Sequence, residues 1–101
     1  MIVSEIIGFE WDKGNREKNW VKHKVAPYEC EQIFFNEPLF IFDDMNHSLS
    51  EKREYALGRT NDSRLLSISF TIRNNLIRII SARPMSKNEK KVYEGYSQEN
   101  S

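Results

Sequence analysis

Residues 66–73 alternate strictly between apolar and polar side chains, a pattern that leaves few folds open to this chain. In a β-strand neighbouring side chains point to opposite faces, so the alternation predicts a strand with one buried face. Turn-forming residues flank it, Asn61-Asp62-Ser63 before and Asn74-Asn75 after, and Asn and Asp tolerate the left-handed conformation that hairpins need. We therefore predict an antiparallel meander with strands at Arg53–Thr60, Arg64–Arg73 and Leu76–Arg83.

Shorter elements surround the meander. The first predicted helix is polar on most faces, and only Trp20 and Val21 offer it apolar side chains for a core. The predicted elements, in chain order, are a strand within Ile2–Trp11, a helix from Asp12 to about Lys22, a helix beginning at Pro27, a strand over Leu39–Asp43, the meander, and a helix opened by a capping box between Ser86 and Glu89.

This order predicts an α+β fold, with a mostly antiparallel sheet of four to five strands, two N-terminal helices and a C-terminal helix laid over one face. A chain of 101 residues has room for one core, so we expect a single domain over 1–95 and a polar tail over 96–101. The single cysteine, Cys30, lies on an apolar helix stripe and excludes an intrachain disulfide. With no apolar run long enough for a membrane span, we expect a cytoplasmic protein.

Basic residues are concentrated in the second half of a chain whose formal net charge is zero. Residues 1–50 hold nine acidic and five basic residues, whereas residues 51–101 hold six acidic and ten basic ones. Six of the seven arginines lie from Arg53 to Arg83, within the predicted meander. This clustering favours a local anion site, and a solvated sheet face with ordinary salt bridges is the alternative.

Two arginines lie in the last predicted strand among isoleucines. Each must meet an anion, either an external phosphate or a carboxylate of the same chain, for which Glu51 and Glu54 are the internal candidates. Apolar residues of this strand stand at both odd and even positions, which face opposite sides of a sheet, so the pattern predicts a central strand covered on both faces. Arg78 is at an even position and Arg83 at an odd one, so a bulge or a strand end must separate them if both reach one site.

Metal chemistry and a cysteine nucleophile fit the sequence poorly. Asp43, Asp44 and His47 could hold a divalent ion, but a polar loop is the simpler explanation. Metal-free RNA cleavage needs a base for the 2′-hydroxyl, cations for the phosphorane and an acid for the leaving oxygen. Arginine, lysine and histidine supply these functions, and His23 is the candidate base or acid. A helix cap for His23 and core packing for Tyr93 remain open alternatives.

Short motifs lie along the chain from Phe9 to about Glu94. The most specific are Phe9-Glu10-Trp11-Asp12 and Arg78-Ile79-Ile80-Ser81-Ala82-Arg83. The others are Asn19, Lys22-His23, His47-Ser48 with Glu51 and Arg53, Gly58, Glu89 and Tyr93. In this combination the chain resembles the BrnT toxin family. Where that family usually has glycine after Lys-His, this chain has Lys24.

The resemblance implies a RelE-like fold and a toxin of a type II toxin–antitoxin system that arrests translation by cutting RNA, with no metal or other cofactor. It also implies a BrnA-type antitoxin as partner, RNA as substrate, and contact with operator DNA only through the antitoxin complex. Placed on this sequence, the catalytic residues are His23, Arg53, Arg78 and Arg83, and the substrate-binding residues are Lys22, Arg59 and Tyr93.

Two other functions stay open on the residues alone. The first is a non-catalytic interaction module, whose polar first helix and acidic first half would bind a basic antitoxin segment and support operator repression. The second is a single-stranded RNA binder, for which aromatic residues would stack on bases. Trp11, Trp20 and Tyr28 are not interleaved with basic residues on a strand, so this last function is the weakest of the three.

Overall fold

A computed structural model describes residues 5–44 and 52–99, with side chains described as far as residue 96. The elements follow the predicted order, which confirms the α+β class. They are β1 (Gly8–Glu10), α1 (Lys13–His23), α2 (Pro27–Gln32) with a 3-10 helix (Ile33–Phe35), β2 (Phe40–Asp43), β3 (Glu54–Arg59), β4 (Leu65–Arg73), β5 (Leu76–Pro84) and α3 (Lys87–Glu99).

The strands of the described residues form one five-stranded sheet in the order β1-β5-β4-β3-β2. The predicted meander of β3, β4 and β5 is confirmed, and β2 extends it in antiparallel register. β1 pairs with β5 in parallel, so the described sheet is mixed rather than purely antiparallel. A parallel neighbour requires a long crossover connection, and here α1 and α2 lie within the chain segment that joins β1 to the meander.

Three predicted helix starts are confirmed. Asp12 caps α1 by accepting a hydrogen bond from the Gly14 N–H at 2.8 Å. Pro27 opens α2 in its first turn, where a missing N–H has no cost. At α3 the Glu89 N–H donates to Ser86 Oγ at 3.2 Å, and the Ser86 N–H donates back to Glu89 Oε1 at 2.8 Å. These are the two hydrogen bonds of a capping box.

Both faces of the sheet are covered. On one face Ala56 and Ile68 pack with Ile33 in the main core, which includes residues of the α2 segment. On the opposite face Leu57 packs with Tyr93 of α3. The prediction that all helices lie on one face is therefore wrong. Its physical reason is that β3 carries apolar side chains on both faces, so each face needs its own cover.

β5 contains a β-bulge. Two consecutive residues of β4 pair with Ile79 and Ser81, so Ile80 has no partner on β4. A bulge adds one residue to a strand and reverses the alternation beyond it. β5 is the predicted central strand, since β1 and β4 flank it. Part of its two-parity apolar pattern comes from the bulge, which leaves Ile80 outside the pairing with β4.

The bulge brings Arg78 and Arg83 to the same face of the sheet. Arg78 pairs with Thr71 and Arg83 pairs with Ser67, and both partners are odd-numbered residues of β4. Paired residues in an antiparallel ladder share a face. Of the two alternatives that the sequence left open between the arginines, a bulge or a strand end, the structure contains the bulge.

α1 lies along the part of β5 that extends beyond the end of β1. Asn15 Nδ2 donates to a β5 carbonyl oxygen at 3.2 Å, and a β5 N–H donates to Asn19 Oδ1 at 3.1 Å. The amide side chains thus satisfy backbone groups that the short β1 strand does not reach. Consequently the inner side of α1 is polar. The prediction that Trp20 and Val21 face a core is wrong, since they are 51% and 73% exposed.

Candidate active site

A cavity of about 290 Å³ opens between the C-terminal half of α1 and the edge of β5. Three of the predicted site residues line it: Lys22 and His23 from α1, and Arg83 from β5. The other lining residues are Lys18, Asn19, Ser81 and Ala82. Lys18, Lys22 and Arg83 supply three positive charges and His23 an imidazole, so this cavity attracts anions.

Arg64 holds the end of α1 in place. Its guanidinium donates to the main-chain oxygens of His23 at 3.1 Å and Lys24 at 2.7 Å, and to the Glu29 carboxylate of α2 at 3.1 Å. Lys24 adopts a left-handed conformation with φ of 54°, and its N–H donates to the Trp20 carbonyl at 2.9 Å. Sequence reasoning assigned no such role to Arg64, because nothing local links residues 40 positions apart.

Asn19 forms a buried part of the cavity wall. It is only 3% exposed, and its Oδ1 accepts the N–H of Ala82. Within residues 5–44 and 52–99, its Nδ2 has no hydrogen-bond partner. A buried amide without a partner is costly, so such a group calls for a functional explanation. The signal in the sequence was the spacing of Asn15 and Asn19, which puts two amides on one helix face.

Arg83 is bound by Glu89 from the first turn of α3. Its Nη1 and Nη2 donate to the two carboxylate oxygens at 2.5 and 3.1 Å, and Nη1 also donates to the Pro84 carbonyl at 3.2 Å. Burial alone would raise the pKa of the Glu89 carboxyl, but hydrogen bonds from Arg83 and Ser86 and the Arg83 charge lower it to about 2. The hydrogen bonds that Arg83 donates to the Glu89 carboxylate in turn raise the pKa of Arg83. The Arg83 side chain remains 46% exposed, so ligands can still reach it.

Arg78 lies on the same sheet face but does not line the cavity. Its Nη1 is 3.7 Å from Glu10 Oε1, and its Nη2 is 3.8 Å from Asp12 Oδ2. These distances describe loose ion pairs at the protein surface, which stabilise little. Pairing of the arginines with carboxylates of the same chain was the alternative to a phosphate site. The structure shows such pairs for both Arg78 and Arg83.

The structure does not bring the remaining predicted site residues to the cavity. Arg59 lies at the C-terminal end of β3, which β4 separates from β5, and its Nε donates to the Glu37 carbonyl at 2.7 Å. Tyr93 is 4% exposed, and its hydroxyl donates to the Pro38 carbonyl at 2.7 Å. This burial raises the pKa of the Tyr93 hydroxyl and agrees with a packing role. Arg53 directly precedes β3 and is separated from β5 by β4.

Other chemistry has little support among the described residues. His47 and Glu51 lie outside them, and the second expected ion-pair partner, Glu54, is buried on β3. In the described part of the chain no three His, Cys, Asp or Glu side chains are grouped to hold a metal ion. Cys30 is fully buried, and burial raises the pKa of its thiol to about 12. Within the same ranges, no helix combines the length and hydrophobicity required to span a bilayer.

The sequence of this chain matches a family model described as the ribonuclease toxin BrnT of type II toxin–antitoxin systems, over residues 11–89. The matched segment begins before α1 and extends into α3, so it contains the whole cavity. The chain belongs to the BrnT ribonuclease toxin family. Family membership confirms the resemblance seen in the short motifs, and a type II toxin implies an antitoxin partner.

Solved structures support the same fold. The 1.1 Å crystal structure of the Brucella abortus ribonuclease toxin BrnT superposes with a TM-score of 0.61 and 20% identity, covering 80% of this chain and 99% of that chain. At this identity the match bears on the fold, which is the BrnT fold; the broader RelE-like class stays a prediction. A comparison with curated protein sequences gave no match.

Proposed function

We propose that this BrnT-family protein is an endoribonuclease that cleaves RNA in the cavity between α1 and β5. The observation that carries the proposal is the convergence of Lys22, His23 and Arg83 on one open cavity. RNA cleavage requires a proton-transfer group and cations at a phosphate, and these side chains supply both.

In the proposed reaction the ribose 2′-oxygen attacks phosphorus and the P–O5′ bond breaks, which leaves a 2′,3′-cyclic phosphate and a 5′-hydroxyl. A base takes the 2′-hydroxyl proton, and an acid gives a proton to the departing O5′. His23 carries one of these transfers, because imidazole exchanges protons near neutral pH. Arg83 and Lys22 stabilise the charge that develops on the phosphorane.

We further propose that cleavage needs no metal. The cavity is lined by the cationic side chains of Lys18, Lys22 and Arg83, which repel a divalent cation and attract the phosphate directly. The carboxylate that contacts Arg83, Glu89, already accepts hydrogen bonds from Arg83, Ser67 and Ser86. It is therefore a poor candidate for a metal ligand.

The proposed activity arrests translation in the cytoplasm, and a BrnA-type antitoxin neutralises it. Trp20 and Val21 are exposed on α1, next to Lys22 and His23. A protein partner that covers these apolar side chains would also shield the cavity from RNA. Operator DNA is then contacted only through the antitoxin complex.

Cleavage of a labelled RNA oligonucleotide by the purified chain, without antitoxin and in excess EDTA, tests the proposal. We expect fragments that end in 2′,3′-cyclic phosphate. Arg83→Ala and His23→Ala are each expected to lower the rate by about 10² to 10³. The matched control is Arg16→Ala, which removes an exposed arginine of α1 that does not line the cavity and should leave the rate unchanged.

Full cleavage by both cavity variants would show that the site is elsewhere. Activity abolished by EDTA and restored by Mg²⁺ would contradict metal independence. The second candidate, a non-catalytic antitoxin-binding module, is favoured by the carboxylates that pair with Arg78 and Arg83. It predicts operator binding by the toxin–antitoxin complex together with no RNA cleavage and no growth arrest by the toxin alone.

A further inference from the structure

Glu89 is bonded on all sides. Its Oε1 accepts from Arg83 Nη1 at 2.5 Å and from the Ser86 N–H at 2.8 Å. Its Oε2 accepts from Arg83 Nη2 and from Ser67 Oγ, both at 3.1 Å. An ionised carboxylate has about four acceptor positions, and all are used here. The carboxylate is thus held between the start of α3 and the β4 strand, and it cannot move without breaking several hydrogen bonds.

The pair leaves one edge of the guanidinium unused. Nη1 and Nη2 face Glu89, and Nη1 also donates to the Pro84 carbonyl. Among the described residues, Arg83 makes no hydrogen bond through Nε, and Nη2 uses only one of its two N–H groups. The Nε–H and the second Nη2–H point in parallel from one edge of the plane, which is the geometry that binds two phosphate oxygens.

We propose that Glu89 is a positioning residue for the ribonuclease reaction, which orients the free Nε edge of Arg83 toward the scissile phosphate. This inference rests on the proposed function of the cavity. A free arginine side chain samples many rotamers, whereas this guanidinium is fixed before substrate arrives, so less entropy is lost when the phosphate binds. Glu89 itself does not contact the substrate, and α3 takes part in the site through Glu89.

A positioning role and an inhibitory role make opposite predictions. If Glu89 only blocked phosphate binding by Arg83, its removal would free the guanidinium and raise the rate of RNA cleavage. If it positions Arg83, the loss of its charge strengthens the general attraction of RNA to the cavity but loosens the geometry needed in the transition state. We expect Glu89→Gln to lower kcat by about 10- to 30-fold without raising KM.

Ser86→Ala is the matched control for folding. It removes the Ser86 Oγ that accepts the Glu89 N–H, so it weakens the start of α3 while leaving the contacts of the Glu89 carboxylate in place. We expect it to keep the wild-type kcat. Ser67→Ala removes one hydrogen bond to Glu89 Oε2 and is expected to lower kcat by about two- to threefold. If Glu89→Gln does not fold, the Ser67 variant decides the question.

The experiment combines steady-state cleavage of an RNA oligonucleotide with ¹⁵N NMR of the Arg83 Nε–H group. Support is a fall in kcat for Glu89→Gln with wild-type kcat in Ser86→Ala, together with an Nε–H order parameter that is high in wild type and low in Glu89→Gln. Unchanged or increased kcat in Glu89→Gln overturns the proposal while the ribonuclease function stands.

A separate outcome addresses the proposed function. If wild-type protein cleaves no RNA, that function fails, and NMR with an uncleavable 2′-O-methyl oligonucleotide tests the positioning role alone. An Nε–H shift in wild type that is lost in Glu89→Gln supports it, whereas no shift in wild type overturns it.

Discussion

Glu89→Gln is expected to lower the free energy of unfolding at neutral pH and to change it little in strong acid. Glutamine keeps an oxygen that can accept the Ser86 N–H but loses the charge that Arg83 binds. A carboxyl whose pKa falls from 4.5 to about 2 on folding stabilises the folded state by at most about 3–4 kcal/mol. Since 46% of the Arg83 side chain is exposed, solvent screens the pair, and we expect about 1–2 kcal/mol.

The contribution of the Arg83–Glu89 pair to stability depends on pH. The stabilisation is complete where the unfolded carboxyl is ionised, above about pH 5, and it is lost as the pH falls toward about 2 because the folded protein then also binds the proton. Urea unfolding followed by the fluorescence of Trp11 and Trp20 measures this at about pH 7 and about pH 2.5. Glu94→Gln is the control, since Glu94 is an exposed acid of the same helix. An equal loss at both pH values, or no loss at neutral pH, would refute an ionic contribution from this pair.

Three further changes test local features. Lys24→Gly removes the strain of a left-handed lysine, about 1 kcal/mol, but also removes the cation–π contact with Trp20. Urea unfolding should show a net rise of about 0.5 kcal/mol in the free energy of unfolding, and a fall would contradict the strain. Gly58→Ala places a Cβ 2.9 Å from Ile33 Cβ and should destabilise by about 1–3 kcal/mol in the same assay; a neutral result would refute the close packing. Cys30, with its buried thiol, should react with a disulfide reagent at least about 100-fold faster in urea than in buffer; equal rates would contradict its burial.

Much of the fold followed from local patterns. The alternation of β4 determines which residues share a face, and Asn74 and Asn75 take φ of 53° and 63°, as a two-residue hairpin turn requires. The Asp12 cap and the Ser86–Glu89 capping box are likewise encoded within four residues. Such signals are readable because the groups that satisfy one another are neighbours in the chain.

Long-range packing accounts for the errors. Trp20 and Val21 were expected inside because they are the apolar residues of α1, yet the helix lies on unpaired strand backbone, where amides are the better partners. The helices were expected on one face, but the apolar pattern of β3 requires cover on both. The resemblance assigns Arg59 and Tyr93 to the site, and in the structure they donate to main-chain oxygens outside the cavity; their part in the reaction stays a prediction.

The local periodicities and turns of this chain were sufficient to determine its meander, its helix starts and the strand that carries Arg78 and Arg83, and its short motifs pointed to its family. The tertiary structure alone decided that Arg83 donates to Glu89 and that Arg64 donates to the His23 main-chain oxygen. It also decided that His23 and Arg83 line one cavity. These meetings depend on the bulge at Ile80 and on where α1 lies against β5. Both are set by the packing of distant segments, which no local pattern of residues records.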